Sequence, residues 1–216
     1  SSTFMACTAG VGSSSSVMAF TLESPRQVAT IKCAHELGNK SFPTAYIGDL
    51  RLTRDGKTLY AVDQANFHLL VIDVESQKIV SAVETGRYPF GLALSPDEKE
   101  AYVANVGMFE YSFIRTKLGG IGRLHFPPFG YDTKEAEDGE EIEDLKVPGL
   151  GNVNDINGMS VWTFDITQRG AEWATGKVKS GLLVGEKIED FPAVGGSSPD
   201  SVLATEDEIY VANGSN

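Results

Sequence analysis

Residues 91–105 read GLALSPDEKEAYVAN, a run of alternating apolar residues, an acidic turn, and a second run that opens near a tyrosine. Residues 49–63 (DLRLTRDGKTLYAVD) and 201–213 (SVLATEDEIYVAN) share this pattern. Tyr60 and Tyr102 are 42 residues apart. A fixed period of this length, with an internal period of two, indicates a repeat built from β-strands.

The remainder of each repeat also recurs. Residues 68–77 (HLLVIDVESQ) match residues 160–168 (SVWTFDITQ), and residues 17–24 are a degenerate third copy. A fourth apolar run follows each copy, at 28–33, 79–84 and 178–184. Four strands per repeat, with one face of each sheet packing on the next, predict an all-β, WD40-like β-propeller.

The tetrapeptide at the end of the second strand places the repeat more closely. Residues 102–105 and 210–213 both read YVAN, and residues 94–97 (LSPD) and 71–73 (VID) adjoin equivalent strands. In these motifs the chain resembles the YVTN family of repeats. The resemblance implies a propeller that has seven blades when complete and is exported from the cell, hence a secreted or periplasmic location.

The phase of the repeat predicts how the chain divides into blades, whose strands are called A to D from the central channel outward. Residues 1–46 are a blade without its inner strand, 47–89 a full blade, 90–198 a full blade with an insertion, and 199–216 the first two strands of another. About three blades leave apolar faces uncovered. We therefore expect the remaining blades to come from another chain or chain segment.

The insertion, residues 106–157, separates strands B and C of one blade and carries aromatics, a proline pair and an acidic run. Because B–C and D–A connections lie at the same end of a propeller, we expect it over the channel mouth, with residues 126–129 packed against protein. Residues 109–112 (FEYS), 127–130 (PPFG) and 134–137 (KEAE) resemble an insertion in propellers fused to an alkaline-phosphatase-like phosphoesterase domain. This resemblance implies such a domain as a partner.

Polar residues aligned at the predicted mouth are the candidate ligand-binding set. A ring of such groups at a channel mouth can hold a small polar ligand, a metal or a peptide. The alternative is that these side chains only hydrogen-bond their own turns. The predicted residues are Asp49, Asn66, His68, Arg87, Tyr88, Asn105 and Asp200.

Metal and thiol chemistry has weaker support in the sequence. The acidic run 132–144, or the Asn/Asp-rich residues 152–157, could hold a divalent cation such as calcium, although the ligand spacing of a calcium loop is absent. Cys33 and His35 form a Cys-x-His pair without further ligands nearby in sequence. Cys7 and Cys33 are expected to be buried thiols, or a disulfide in an oxidising compartment.

Composition and motifs narrow the function. A formal net charge of −12 disfavours nucleic acids and anionic membranes as partners, and no apolar run is long enough to span a bilayer. The sequence contains no catalytic motif, and its three histidines stand in unrelated segments. We therefore predict an extracytoplasmic binding or scaffold module, with its ligand or partner at the mouth under the insertion. The alternative is part of a hydrolase, either phosphoesterase-linked or lactonase-like.

Overall fold

The computed structural model describes residues 3–8, 16–21, 23–24, 26–107, 119, 123–125, 133–149, 151, 157–168, 178–183 and 198–214. Side chains are described throughout these ranges except in 3–8 and 178–183. Antiparallel sheets account for nearly all the regular structure in these ranges. Within the same ranges, no helix has the length and apolar character needed to cross a membrane.

The described residues form four main sheets that follow one another along the chain, together with two separate hairpins. The first contains β1 (Thr3–Thr8), β2 (Ser16–Thr21) and β3 (Gln27–Lys32). A short hairpin, β4 (His35–Leu37) and β5 (Lys40–Phe42), connects it to the next sheet. The second sheet contains β6 (Ile47–Leu52), β7 (Thr58–Asp63), β8 (His68–Asp73) and β9 (Lys78–Glu84). Its strands pair in sequence order, as in a propeller blade.

The third sheet repeats this order but includes strands from both sides of the insertion. Its first two strands are β10 (Pro89–Leu94) and β11 (Glu100–Asn105). The insertion contains a helix, α1 (Lys134–Asp138), and a hairpin of β12 (Gly139–Ile142) and β13 (Leu145–Pro148). The sheet then continues with β14 (Ser160–Asp165) and β15 (Val178–Leu183). The last sheet pairs β16 (Pro199–Ala204) with β17 (Ile209–Asn213).

Strand register confirms the repeat on which the propeller prediction depends. Tyr60 lies opposite Arg51 in the second sheet, and Tyr102 lies opposite Ala93 in the third. In the last sheet Tyr210 lies opposite Leu203. The three tyrosines thus occupy equivalent positions in three successive sheets, and the chain forms a partial β-propeller.

The core lies between successive sheets, because neighbouring residues of a strand face opposite sides. In β7, Leu59 and Ala61 pack in a cluster with Val17 and Ile31 of the first sheet. Tyr60 and Val62, on the other face, pack in a cluster with residues of the third sheet such as Val103. Tyr102 and Ala104 of the third sheet pack in turn with Val202 of the last.

One end of the second and third sheets carries both the connections between blades and the insertion. In the second sheet Ile47 pairs with Asp63, and Asp63 with His68. In the third, Pro89 pairs with Asn105, and Asn105 with Ser160. We call this the insertion end, since residues 106–159 leave and re-enter the sheet there. Residues 126–129, expected to pack against protein, lie outside the described residues.

The acidic run that was a candidate cation site contributes to secondary structure where it is described. Helix α1 begins after Thr133, whose hydroxyl accepts a hydrogen bond from the Ala136 N–H at 3.1 Å. Glu135 and Glu137 stand in its first turn, where carboxylates interact favourably with free N–H groups. Glu140 of β12 bonds to His125, with 2.8 Å to its backbone nitrogen and 2.5 Å to its Nδ1. These contacts stabilise the insertion internally.

Candidate functional site

Asp63, the last residue of β7, is fully buried at the insertion end. Its Oδ1 accepts hydrogen bonds from the backbone N–H groups of Tyr46 (2.9 Å) and Ala65 (3.0 Å). Its Oδ2 accepts one from the Asn66 side-chain amide at 2.6 Å, and the same amide also donates to the Thr44 carbonyl at 2.8 Å. Asp63 therefore holds both the turn that follows it and the connection that precedes β6.

Beside Asp63, a histidine of the second sheet meets one from the hairpin that precedes it. His68 opens β8 and is paired with Asp63 across the hairpin, whereas His35 opens β4. His35 Nε2 lies 2.8 Å from His68 Nδ1, and His35 Nδ1 lies 3.0 Å from the Cys33 carbonyl oxygen. Phe42 stacks on His35 with centroids 5.1 Å apart and meets His68 edge-on at 4.6 Å. Ring packing and hydrogen bonds thus fix both imidazoles.

Burial changes the acid–base properties of this cluster. Desolvation is the main reason that the pKa of His68 falls to about 4, with neighbouring His35 and Lys40 adding to the effect. Burial also raises the pKa of Asp63, while the hydrogen bonds from Tyr46, Asn66 and Ala65 oppose that rise. His68 is therefore neutral at physiological pH and offers a nitrogen lone pair rather than a charge.

The third sheet has Asn105 and Ser160 at the positions of Asp63 and His68. Asn105 is fully buried, and its amide nitrogen lies 3.4 Å from the Ser160 carbonyl and 3.5 Å from the Ser160 hydroxyl. Its Oδ1 has no hydrogen-bond partner among the described residues. Asn105 therefore contacts strand β14 at the base of the insertion.

Arg87 and Tyr88 fasten the insertion to the connection between β9 and β10. The backbone N–H of Arg87 donates to the Asn157 carbonyl, and its Nη1 lies 3.3 Å from the Gly149 carbonyl. The carbonyls of Arg87 and Tyr88 accept hydrogen bonds from Gly107 (2.9 Å) and Val106 (3.0 Å). Tyr88 adopts a positive φ of 52°, a conformation that costs about 1–3 kcal/mol in a non-glycine residue.

The other two predicted residues lie on inner strands. Asp49 of β6 accepts hydrogen bonds from Leu50 and Arg51, and its Oδ2 accepts one from the Leu92 N–H of β10 at 3.0 Å. It thereby joins the inner strands of two blades. Asp200, on β16, is half-buried and lies beside Gly214 at the end of β17.

The seven predicted residues therefore fall into three groups. Asn66 and His68 belong to one buried cluster, Arg87, Tyr88 and Asn105 surround the base of the insertion, and Asp49 and Asp200 lie apart on inner strands. Their ligand-binding role stays a prediction. Sequence reasoning missed two members of the cluster, Asp63 and His35, although Cys33-x-His35 and the end of the 49–63 repeat each drew attention to one of them.

A wider depression lies at the opposite end of the sheets. It has a volume of about 730 Å³, and its lining includes Arg54, Asp97, Lys99, Glu100 and Asp165. Several of these charges are already paired, as in the 2.9 Å contact of Lys99 with Asp97. A smaller cavity of about 60 Å³ lies at the insertion end between Tyr46, Gln64, Ala65 and Tyr88.

No family model matches this chain, and no curated protein matches it either. Among solved structures, the chain is similar to hydrazine synthase of Kuenenia stuttgartiensis over 44% of its length, at 22% identity and a TM-score of 0.36. It is similar over 91% of its length to the periplasmic gluconolactonase PpgL of Pseudomonas aeruginosa, at 18% identity and a TM-score of 0.44. It is also similar to U3-55K over 97% of its length, at 13% identity and a TM-score of 0.49. The chain spans 24%, 36% and 49% of these three proteins, in that order.

Proposed function

We propose that this chain is an exported propeller module that binds a ligand or partner at its insertion end. The observation that carries this proposal is the anchoring of the insertion by Arg87. Three contacts, to Gly107, Gly149 and Asn157, fix the described insertion backbone against the connection between two blades. A surface organised before binding spends less free energy on ordering when a partner arrives.

Charge indicates the kind of partner. The chain has a formal net charge of −12, and α1 with the β12–β13 hairpin adds carboxylates to the insertion. A neutral or cationic partner avoids electrostatic repulsion, whereas a polyanion does not. The proposed binding end is therefore suited to a small polar ligand or to a basic protein segment.

A hydrolase, phosphoesterase-linked or lactonase-like, is the second candidate because His35, Asp63 and His68 come together. Their exposed fractions are 7%, 0% and 3%, so a substrate would have to displace the β4–β5 hairpin to reach them. General acid–base groups must lie within hydrogen-bond reach of the reacting atoms. The burial of the cluster favours the binding function over the hydrolase.

Site-specific photocrosslinking in the native host tests the binding proposal. A photoreactive residue at Tyr88, at the insertion end, is compared with one at Lys57, an exposed residue in the turn at the opposite end. We expect a discrete crosslinked species, or a ligand-protectable label, from position 88 alone. Equal crosslinking from both positions would contradict the assignment of the insertion end.

Assays of gluconolactone and p-nitrophenyl phosphate hydrolysis test the alternative. The binding proposal expects no turnover above the buffer rate with either compound. Turnover that disappears in His68→Ser but persists in His125→Ala would establish the hydrolase instead, because His125 lies in the insertion and away from the buried pair.

The exported location is tested separately. Fractionation of the native host, followed by quantitative mass spectrometry of peptides from this chain, should find them in the periplasm or the medium. Peptides confined to the cytoplasmic fraction would overturn this part of the proposal and leave the binding end unaffected.

We also propose that the open face of the last sheet packs against a further sheet of the same repeat. Tyr60 and Tyr102, each covered by a following sheet, are 0% and 8% exposed, whereas Tyr210 at the same position is 54% exposed. Leu203, which lies directly opposite Tyr210 on the same face, is also exposed, at 63%. Apolar surface that is regularly buried in a repeat identifies the place of its next member.

Native mass spectrometry of the protein purified from its host tests this packing. A mass above 23.2 kDa, either as a longer polypeptide or as a complex, is expected, and denaturing spectra distinguish the two sources. A stable monomer of 23.2 kDa with Tyr210 accessible to solvent would contradict the proposal.

A further inference from the structure

The cluster of His35, Asp63 and His68 contains three groups that commonly bind metals, although they come from three separate segments. One ligand atom of each residue lies within 4.8 Å of the others. All three residues are buried. Two imidazoles and a carboxylate rarely gather in a protein interior without a partner, because each loses hydration there. Their grouping therefore requires an explanation beyond hairpin packing.

The surroundings of the cluster match those of metal ligands. Ligating histidines usually donate the N–H of their second nitrogen to a backbone carbonyl or carboxylate. His35 Nδ1 has the Cys33 carbonyl at 3.0 Å, so its Nε2 presents a lone pair to the cluster. The apolar ring of Phe42 packs against both imidazoles and fixes their orientation.

Asp63 is held in a similar way. Its carboxylate offers about four acceptor positions. Three are used, by the backbone N–H groups of Tyr46 and Ala65 on Oδ1 and by the Asn66 amide on Oδ2. One position on Oδ2 remains for a further partner. Hydrogen bonds that orient a carboxylate in this way are typical of the outer shell of metal sites.

The distances require only small movements. The 2.8 Å between His35 Nε2 and His68 Nδ1 is a hydrogen bond. Two nitrogens bound to one tetrahedral zinc ion, each about 2.0–2.1 Å from it, are about 3.3 Å apart. A metal could therefore lie between the rings if they separate by about half an ångström and His68 carries its proton on Nε2 instead of Nδ1. The Asp63 carboxylate oxygen lies within 4.8 Å of both nitrogens, so it must approach them by at most about 1.5 Å to bind the same ion.

We propose that His35, Asp63 and His68 form a binding site for a divalent transition metal, with Zn²⁺ as the expected ion. Imidazole nitrogens with a single carboxylate favour zinc, whereas calcium takes six to eight oxygen ligands. The fourth position would hold water. Because His35 belongs to the β4–β5 hairpin and the other two ligands to the second sheet, the metal would cross-link this hairpin to the sheet.

Metal titration tests the site without reference to the binding or hydrolase functions. The purified protein is stripped with a chelator, and ZnCl₂ is added in a calorimeter, with bound metal quantified after dialysis. We expect one equivalent of Zn²⁺. Co²⁺, used as a spectroscopic probe, should give the visible absorption of a four-coordinate nitrogen and oxygen site.

Variants taken from the third sheet make matched tests. His68→Ser and Asp63→Asn each introduce the residue found at the equivalent position, Ser160 or Asn105, and should weaken zinc binding at least tenfold, the effect of losing even an outer-shell partner. His125→Ala removes an exposed histidine paired with Glu140 and should leave stoichiometry and affinity unchanged. Circular dichroism of each variant checks that it is folded.

The proposal is overturned if the stripped, folded protein binds less than one equivalent of zinc. It is also overturned if folded Asp63→Asn and His68→Ser bind zinc as tightly as the unchanged protein. Should His68→Ser not fold, Asp63→Asn and Asn66→Ala decide the matter. Asn66→Ala leaves all three ligands in place but removes the amide that bonds Asp63 and the Thr44 carbonyl, and it should weaken zinc binding about 10–100-fold.

Discussion

The second and third sheets have the same strand order and register, yet their insertion ends differ in construction. The second sheet connects β7 to β8 by a turn of residues 64–67, and Asp63 and His68 close it. In the third sheet, residues 106–159 connect β11 to β14, and the pair of Asn105 and Ser160 closes this connection. One blade position therefore supports either a compact buried polar cluster or a long excursion of the chain.

The difference shows where each blade depends on its end residues. Asp63 accepts three hydrogen bonds of 2.6–3.0 Å, two of them from backbone N–H groups outside the strand ladder. The amide nitrogen of Asn105 makes long contacts of 3.3–3.5 Å, which are weaker, and its oxygen has no partner among the described residues. The stability of the second sheet's insertion end should thus depend on the Asp63 carboxylate. The stability of the third sheet's insertion end should depend on the pairing of its strands.

The largest expected contrast is between Asp63→Ala and Asn105→Ala. Loss of the Asp63 carboxylate leaves buried donors unsatisfied, at about 1–3 kcal/mol each, so we expect a loss of about 3 kcal/mol in the free energy of unfolding. Asn105→Ala also removes an unpaired acceptor and should cost about 1 kcal/mol. Urea denaturation of the metal-free variants measures both. Equal losses would show that Asp63 and Asn105 contribute equally to the free energy of unfolding, which would contradict this expectation.

Glycine substitutions give the next largest effect. A Cβ at Gly86 would lie 2.6 Å from Asn105 Cγ and 2.9 Å from the Asn157 carbonyl oxygen, so Gly86→Ala should cost about 2–3 kcal/mol. The three atoms nearest to a Cβ at Gly48 would all belong to the Gln64 side chain, with its amide nitrogen at 2.1 Å. Because a side chain can shift more readily than the Asn157 backbone, Gly48→Ala should cost less, about 1 kcal/mol. Thermal unfolding of the two variants measures both losses. A larger loss for Gly48→Ala than for Gly86→Ala would show that the base of the insertion can move freely.

His68→Ser in the metal-free protein should have a smaller, local effect. It removes the contacts of the ring with His35 and Phe42 that hold the β4–β5 hairpin. We expect amide hydrogen exchange in residues 35–42 to accelerate about tenfold, equivalent to about 1.4 kcal/mol of local stability. Exchange in β11 and β14 of the third sheet is the internal control. Acceleration in both sheets would indicate global rather than local loosening.

The smallest effect is expected in the turn between β10 and β11, far from either insertion end. The side chain of Lys99 and then the hydroxyl of Ser95 hold the pKa of Asp97 at about 2. Its contribution to stability is complete above the ordinary aspartate pKa and is lost as the pH falls toward 2. Lys99→Ala should raise this pKa toward its ordinary value of 3.8 in an NMR titration. An unchanged value would assign the effect to Ser95 and the backbone alone.

Much of the fold could be predicted because its determinants repeat in sequence. The 42-residue interval between Tyr60 and Tyr102 and the alternation within each strand specify sheet order, register and the faces that pack together. Each of these features depends on local periodicity, which a single sequence displays. The β4–β5 hairpin was not predicted, since its strands have three residues each and no repeat partner.

The histidine pair could not be predicted from sequence for a different reason. His35 and His68 are 33 residues apart and meet only because the first blade's exit lies beside the second blade's B–C turn. The same holds for Asp63, whose donors include Tyr46, 17 residues earlier. Contacts between blades depend on the relative placement of connections, and periodicity within a strand carries no information about it.

The closing of the third sheet by directly paired residues has a consequence for protein engineering. Gly107 and Gly158 approach so closely that a Cβ on Gly107 would lie 3.2 Å from the Gly158 Cα, which makes the exit and return of the chain a narrow neck. By loop-closure entropy, replacing a four-residue turn with a connection more than ten times longer costs only about 2 kcal/mol. A foreign domain with adjacent termini could therefore be spliced at this neck, with the blade serving as its scaffold.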